Sequence, residues 1–219
     1  MTMLLRRGMM LGQTGGGGDL PAGYRQVAYL QNGTTEFIKT DYIPPLNQDI
    51  RVTFDYALTQ TLTNSNNAFF GYINTTGSYK KLFVNCQSGN KWQAASGLLT
   101  SDSILQGVGV TIGQKYHGEL TYNGLTIGGS SDTFSTETTS GNALGIYIFT
   151  RRRAAGANAL TPGLRLYSLK FYNGSALEAD FVPCVRVSDD EPGMYDTVSG
   201  TFYTNAGTGE FVAGPDVPR

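Results

Sequence analysis

The sequence predicts an all-β fold, a sandwich or barrel of many short strands that follows an extended N-terminal arm. Aromatic residues are plentiful, with 13 Tyr and 11 Phe, whereas charged residues make up only 15% of the chain. Aromatic side chains suit the half-buried surface of a strand, and the 29 glycines supply the turns that many short strands need. No segment shows the sustained 3.6-residue apolar period that indicates a helix. A length of 219 residues fits one such domain.

Four consecutive glycines at positions 15–18 mark the first boundary in the chain. A glycine run behaves as a flexible tether, so it separates an arm from a folded domain. We assign residues 1–14 to an N-terminal docking arm, 15–23 to a Gly-rich linker, 24–214 to the β-sandwich and 215–219 to a C-terminal tail.

The arm is rich in methionine and leucine and contains a double arginine. It is either a disordered terminus or a peptide that becomes ordered on a partner. We favour docking because Met and Leu are adaptable apolar anchors, and we assign partner contacts to Met3, Leu4, Leu5, Arg6, Arg7, Met9, Met10 and Leu11. Arg6 and Arg7 interrupt the apolar run that a signal peptide requires. We therefore expect the arm to be retained and the protein to be made in a cytoplasm without export.

From Tyr24 onward the apolar period is two. The segment Arg51–Ala57 alternates polar residues with Val52, Phe54 and Tyr56, as a strand with one face on a core does. Further short strands are predicted at Ala68–Ile73, Lys81–Val84, Gly107–Ile112, Tyr116–Tyr122 and Leu144–Phe149. The Ser-, Thr-, Asn- and Gly-rich segments Thr59–Asn67 and Ser130–Asn142 are predicted as loops.

The clearest hairpin lies late in the chain. Its first strand, Arg165–Tyr172, places Tyr167, Leu169 and Phe171 on one face, and Asn173-Gly174 is a strong hairpin turn signal. The return strand, Ala176–Val182, places Leu177, Ala179 and Phe181 on one face, and Pro183 ends it.

The overall charge excludes several partners. A net charge of -1 gives no field that would attract nucleic acid or an anionic membrane. No apolar stretch approaches the ~20 residues of a membrane-spanning helix.

Cys86 and Cys184 lie far apart in the sequence, and we favour two buried thiols over a disulfide because a single pair makes no disulfide framework.

Two groups of residues are candidates for binding. Arg151, Arg152 and Arg153 form the one basic cluster of the domain, on a predicted loop where they either grip an acidic neighbour or remain solvated. Trp92 is the only tryptophan, and it either packs in the core or stacks on a sugar together with the loop residues Asn64 and Asn66.

Neither a metal site nor a cofactor is expected. His117 is the only histidine, and one ligand is far short of a zinc site. The acidic turn Asp189-Asp190-Glu191 lacks the regular spacing of a calcium loop, so we favour a solvated turn over calcium binding.

Six segments carry a family resemblance, namely residues 29–43, 146–149, 163–172, 180–184, 193–205 and 207–211. They resemble the concanavalin A-like (laminin-G-like) jelly-roll domains of bacteriophage virion structural proteins, and the closing stretch is the most specific. Proteins of this appearance often carry a short Met/Arg-rich, Gly-linked arm. The resemblance implies a two-sheet antiparallel jelly-roll sandwich that serves as a carbohydrate-binding or assembly module on capsids, tails or fibres, although a fold alone does not fix function.

The same superfamily includes glucanases, whose strand motif Glu-x-Asp-x-x-Glu supplies the catalytic carboxylates. In this chain Glu178 and Asp180 match the first two positions, but Pro183 occupies the third. Retaining hydrolysis then has no acid/base partner. We interpret Glu178 and Asp180 as solvated strand residues facing Lys170, and we expect no enzymatic activity.

The resemblance and the arm together lead to an expected function. We expect an auxiliary (decoration) protein of a phage capsid, anchored by its arm to other virion proteins of the capsid or tail in a multi-copy assembly. The alternative is a lectin-like adhesin of a tail or head fibre that binds surface glycans. In both cases the protein resides in a virion assembled in the bacterial host cytoplasm, with no cofactor, nucleic acid or membrane insertion.

Overall fold

A computed structural model describes residues 20–63, 67–74, 80–88, 91–98, 103–105, 108–134, 144–153, 156–158 and 160–218. Regular structure in these residues consists of strands: β1 Tyr24–Gln26, β2 Leu30–Gln31, β3 Ile38–Lys39, β4 Ile50–Leu58, β5 Asn67–Asn74, β6 Lys80–Gln87, β7 Lys91–Leu98, β8 Ser103–Leu105, β9 Tyr116–Thr121, β10 Gly124–Ile127, β11 Ser130–Thr133, β12 Tyr147–Ile148, β13 Arg151–Arg153, β14 Gly156–Asn158, β15 Leu164–Asn173, β16 Ala176–Arg186, β17 Glu191–Asp196, β18 Thr201–Tyr203 and β19 Val212–Ala213. The predicted all-β class is confirmed.

The strands form two large sheets. The larger sheet has the order β11-β10-β9-β4-β15-β16-β17-β18, with β1 beside β16, β2 beside β15 and β19 beside β2. The smaller sheet has the order β14-β13-β5-β6-β7-β8, with β12 beside β5 and β3 beside β12. The ladders are antiparallel except for the parallel contact of β13 with β5 at Arg152 and Tyr72.

An aromatic core lies between the sheets and makes them a sandwich. The predicted inward residues Val52, Phe54 and Tyr56 are all 0% exposed. Phe54 of the larger sheet meets Phe70 of the smaller sheet edge-to-face, with ring centroids 5.2 Å apart. This geometry is favoured because the positive edge of one ring meets the negative face of the other.

Two smaller apolar clusters cover parts of the outer faces. On the larger sheet Leu20 packs with Val182, Cys184 and Tyr195, so β16 is buried on both faces from residue 179 to residue 185. On the smaller sheet the second cluster comprises Ile73, Phe83 and Ala95.

At the other end of the chain, the backbone N–H of Val217 donates to the carbonyl of Gln26. The folded part therefore extends beyond the predicted limits of 24 and 214.

The predicted hairpin is present as β15 and β16, with two β-bulges. The pairing of β15 with β4 shifts between Leu166 and Ser168, so Tyr167 becomes an extra residue and turns to the outer face. The pairing with β16 shifts as well, and Leu177 is 38% exposed. The prediction that Tyr167 and Leu177 share the inner face is therefore wrong. The two turn residues are Gly174 and Ser175 rather than Asn173 and Gly174.

Three predicted bounds require correction. Residues 108–112 contain no strand; instead the backbone N–H of Thr111 donates to the hydroxyl of Tyr116 at 2.8 Å. Residues 130–133, predicted as part of a loop, form β11, because the two-residue turn Gly128-Gly129 returns the chain alongside β10. The strand predicted over 144–149 is reduced to Tyr147–Ile148.

Candidate binding surfaces

The first described residue, Leu20, lies on the outer face of the larger sheet. Leu20 is 8% exposed within its apolar cluster, and Tyr24 pairs with Arg186 at the start of β1. Beside this point lies a groove of about 550 Å³ between β1 and the C-terminal residues, lined in part by Val187 and Val217. The arm residues predicted to contact a partner, Met3 to Leu11, lie outside the described residues.

Trp92 does not belong to a sugar site. Its side chain is 0% exposed and packs edge-to-face on Phe69 and at a tilt on Tyr56, with ring centroids 5.1 and 5.2 Å away. No ring face is left for a pyranose to stack on. The core interpretation therefore replaces the glycan-binding role for Trp92, while Asn64 and Asn66 lie outside the described residues.

The three arginines lie on a strand, which corrects the prediction of a loop. β13 pairs with β14 on one side and contacts β5 on the other, so its side chains alternate between the two faces of the smaller sheet. Arg151 is 4% exposed, with its guanidinium carbon 5.3 Å from the ring centroid of Phe83. Arg152 is half-buried and Arg153 is exposed. Only Arg152 and Arg153 can therefore contact a partner.

Arg152 belongs to a stack of aromatic rings. Its guanidinium carbon lies 5.7 Å from the ring centroid of Tyr147, and Tyr147 stacks on Phe37 at 5.6 Å. Within the described part of the chain, no carboxylate lies within ion-pair distance of Arg152 or Arg153. A planar guanidinium held on a ring and unpaired with an acid is suited to binding an acidic partner.

The outer face of the larger sheet has a different character, because several of its charges pair with one another. Arg51 lies 3.6 Å from Glu119, and its guanidinium carbon is 3.9 Å from the ring centroid of Tyr172. Lys170 contacts Asp180 at 3.1 Å. Opposite charges on neighbouring strands stabilise a sheet modestly and cancel one another's field. This face is therefore a poor site for a strongly charged partner.

Asp55 contacts the side chains of Lys115 and His117 on the same face. Its Oδ2 lies 2.9 Å from Nζ of Lys115, and its Oδ1 lies 2.7 Å from Nδ1 of His117. Burial by itself would raise the pKa of Asp55, but hydrogen bonds from His117 and Lys115 outweigh it and lower the pKa. The cluster was not predicted, because Asp55 and Lys115 are far apart in the sequence and only the polar alternation of β4 marks Asp55.

Two half-buried tyrosines continue this cluster across the sheet. The ring centroid of Tyr167 lies 4.9 Å from Nζ of Lys115 and 5.4 Å from the ring of Tyr29. Arg165 covers Tyr29 at 4.5 Å and donates from Nε to Oε1 of Gln31 at 2.8 Å. We call Tyr29, Gln31, Arg165 and Tyr167 the tyrosine patch. The sequence gives no local signal for it, because Tyr167 faces outward only through the bulge.

The acidic turn lines a cavity of about 360 Å³ together with Asn205 and Glu210. Asp189 is neutralised by Arg186, whose Nε and Nη2 lie 2.9 and 2.7 Å from its carboxylate oxygens. Among the described residues, no three His, Cys, Asp or Glu side chains are grouped as a metal site requires. The geometry gives no support for calcium at Asp189, Asp190 and Glu191.

The two carboxylates considered for hydrolysis, Glu178 and Asp180, differ in their exposure to solvent. Glu178 is exposed, whereas Asp180 is 3% exposed. Asp180 does face Lys170 as predicted, but the interpretation of Asp180 as solvated is wrong. Position 183 is a proline within β16, where it pairs with Met194. The arrangement does not provide the two facing carboxylates that retaining hydrolysis needs.

The two cysteines are buried free thiols, as predicted. Burial raises the pKa of Cys86 to about 12. For Cys184, burial also raises the pKa, to about 12, against a smaller opposing effect of a backbone hydrogen bond from Tyr195. Because the thiolate is the reactive form, neither side chain is suited to act as a nucleophile.

No protein-family model matches this chain, and no curated protein matches it either. The described residues include no helix long and apolar enough to cross a membrane.

Proposed function

We propose that this protein is a non-enzymatic structural component of a bacteriophage virion, an auxiliary (decoration) protein of the capsid anchored by residues 1–14. The virion setting and the jelly-roll topology rest on the resemblance of the six sequence segments. The anchoring rests on the attachment point: Leu20 is 8% exposed in an apolar cluster on the larger sheet. A partner bound to the arm would hold the sandwich through the flexible four-glycine tether that precedes Leu20.

In this proposal each part of the chain has one task. Met and Leu of the arm fill apolar grooves on a capsid or tail protein, and Arg6 and Arg7 pair with acids there. The four glycines bridge the arm and the sandwich without fixing their orientation. Many copies on a symmetric particle convert weak individual contacts into avidity.

The anchoring is tested by deleting residues 1–14. The truncated and full-length proteins are mixed with particles that lack this protein, and bound protein is measured by co-sedimentation. We expect the deletion to abolish binding and Arg6→Glu with Arg7→Glu to weaken it. Trp92 fluorescence verifies folding, because Trp92 lies in the core and not in the arm. Undiminished assembly of the truncated protein onto particles would show that the arm is not the anchor.

A second candidate function is a glycan-binding adhesin on a tail or head fibre. The tyrosine patch favours it, because half-buried rings stand beside the side-chain hydrogen-bonding groups of Gln31 and Arg165. On a glycan array we expect binding that Tyr29→Ala with Tyr167→Ala removes. Tyr172→Ala, which changes a ring elsewhere on the same face, should leave binding intact. Binding to no sugar on the array would exclude this function.

A further inference from the structure

The sequence contains three Asn-Gly pairs, which are Asn32-Gly33, Asn123-Gly124 and Asn173-Gly174. In such a pair the backbone nitrogen of the glycine is not shielded by a side chain, so it can attack the side-chain carbonyl carbon of the asparagine. A carbon–nitrogen bond forms, and the side-chain amide leaves as ammonia together with the proton of the attacking nitrogen. Water then opens the cyclic succinimide to aspartate or isoaspartate. Each pair is therefore a candidate for covalent modification, and the fold decides which one can react.

Asn32 is protected because the fold holds both reacting groups. Its side chain is 0% exposed, and its Oδ1 accepts the backbone N–H of Leu164 at 3.0 Å. The attacking group is held as well, since the backbone N–H of Gly33 donates to Oε2 of Glu36 at 2.7 Å. Closure of the ring requires both hydrogen bonds to break, so Asn32 can react only when this part of the structure opens.

Asn173 is protected in a similar way within the hairpin of β15 and β16. Its Oδ1 accepts a hydrogen bond from Nδ2 of Asn47 at 3.0 Å. The backbone N–H of Gly174 donates to the carbonyl oxygen of Asp49 at 2.8 Å. These two bonds fasten the reacting carbonyl group and the attacking nitrogen to the segment that precedes β4. Asn173 must lose both bonds before the ring can close.

Asn123 lies in the turn between β9 and β10, and it is exposed. Its backbone carbonyl accepts the N–H of Phe134 at 2.9 Å. Its side chain, by contrast, makes no hydrogen bond within the part of the chain that the structure describes. The side-chain carbonyl group can therefore turn toward the nitrogen of Gly124 without the loss of a side-chain contact.

We infer that Asn123 is a site of spontaneous deamidation in the folded protein, whereas Asn32 and Asn173 are protected. Residues 122–124 and 172–174 have the same sequence, Tyr-Asn-Gly, so the difference between Asn123 and Asn173 comes from the fold. The product carries a new negative charge on an exposed turn. In the isoaspartate form the main chain is also one carbon longer, next to the hydrogen bond with Phe134. The inference goes beyond the proposed function and does not depend on it.

The rates at the three sites test the inference in the full-length protein. The protein is incubated at mildly alkaline pH, where the attacking nitrogen loses its proton more readily. After proteolysis, mass spectrometry follows each peptide, because deamidation adds about one mass unit. We expect Asn123 to convert at least about tenfold faster than Asn32 and Asn173, which react only from an opened state. In concentrated guanidinium chloride the fold is lost, and Asn123 and Asn173 should convert at similar rates.

Gly124→Ala tests the mechanism without a change at Asn123. The added side chain shields the attacking nitrogen, so we expect severalfold slower conversion of Asn123. Its Cβ would lie 3.1 Å from Oγ1 of Thr121, a side chain that can move, and Trp92 fluorescence verifies that the variant folds.

Two results in the folded wild type would overturn the inference. One is an Asn123 that stays intact for as long as it takes to react in guanidinium chloride, and the other is equal conversion of Asn123 and Asn173. Conversion of Asn123 at the same rate in Gly124→Ala and in the wild type would show that the nitrogen of Gly124 is not the attacking group, and would overturn the mechanism.

Discussion

Asp55 contacts both Lys115 and His117 on the larger sheet, and its protonation should influence stability. Burial opposes ionisation of Asp55, but the hydrogen bonds from His117 and Lys115 prevail, so its folded-state pKa lies below the usual value. A carboxylate of this kind stabilises the fold above its unfolded-state pKa, and the contribution is lost as pH falls through the folded-state pKa.

We therefore expect Asp55→Asn to be less stable than the wild type near neutral pH. The variant should also lose less stability than the wild type between about pH 7 and about pH 3, because it has no proton to bind at this position. Urea unfolding at a series of pH values measures both effects. Asp49→Asn, which removes an exposed carboxylate without an ion pair in the described residues, is the control. Identical pH profiles of Asp55→Asn and the wild type would refute the role of Asp55.

Individual side chains were predictable only where the strand pattern decided their environment. Alternation in β4 placed Val52, Phe54 and Tyr56 in the core, and all three are buried. Trp92 could not be assigned in the same way, because aromatic rings suit both a core and a sugar site. Its contacts with Phe69 and Tyr56 come from strands distant in sequence, and only the fold brings them together.

At the scale of elements, local patterns identified strands but not the irregularities between them. The hairpin of β15 and β16 was predictable from alternation and turn chemistry. The bulge at Tyr167 was not, because it arises from the pairing of β15 with β4, which lies more than a hundred residues earlier. The tyrosine patch depends on this bulge, because the bulge turns Tyr167 toward Tyr29 instead of the core.

The pairing of β5 with β6 depends on the absence of a side chain at Gly71. Its φ is +124°, and an added Cβ would lie 2.0 Å from the carbonyl oxygen of Leu82. We expect Gly71→Ala to lower the free energy of unfolding by about 2–6 kcal/mol, the sum of backbone strain and overpacking. Thermal and urea unfolding measure the loss.

Gly174 provides the matched control. It also has a positive φ of +59°, but nothing lies within 4 Å of an added Cβ. Gly174→Ala should therefore lower the free energy of unfolding only by the backbone contribution, about 1–2 kcal/mol. Equal losses in the two variants would show that the close approach of Leu82 to Gly71 does not contribute.

At the scale of the whole molecule, composition and period were sufficient for the all-β class, but they left a sandwich and a barrel as alternatives. They could not give the order of strands within a sheet, because many pairings join segments distant in sequence. The chain places β4 between β9 and β15, and no local pattern encodes that choice. The contacts of Phe37 with Tyr147 and with Asn205 follow from the same order, because they join residues distant in sequence.

The shared core predicts that both sheets unfold together. Phe54 and Tyr56 of the larger sheet and Phe69, Phe70 and Trp92 of the smaller sheet belong to one apolar cluster. Neither sheet can separate without exposing this cluster to water, so a single cooperative transition is expected. Trp92 fluorescence reports on the contact between the sheets, and far-ultraviolet circular dichroism reports on all strands. The two signals should give the same urea midpoint, because loss of the inter-sheet contact removes the burial that stabilises the strands. A fluorescence midpoint clearly below the circular dichroism midpoint would mean that one sheet persists alone and that the core does not couple the two.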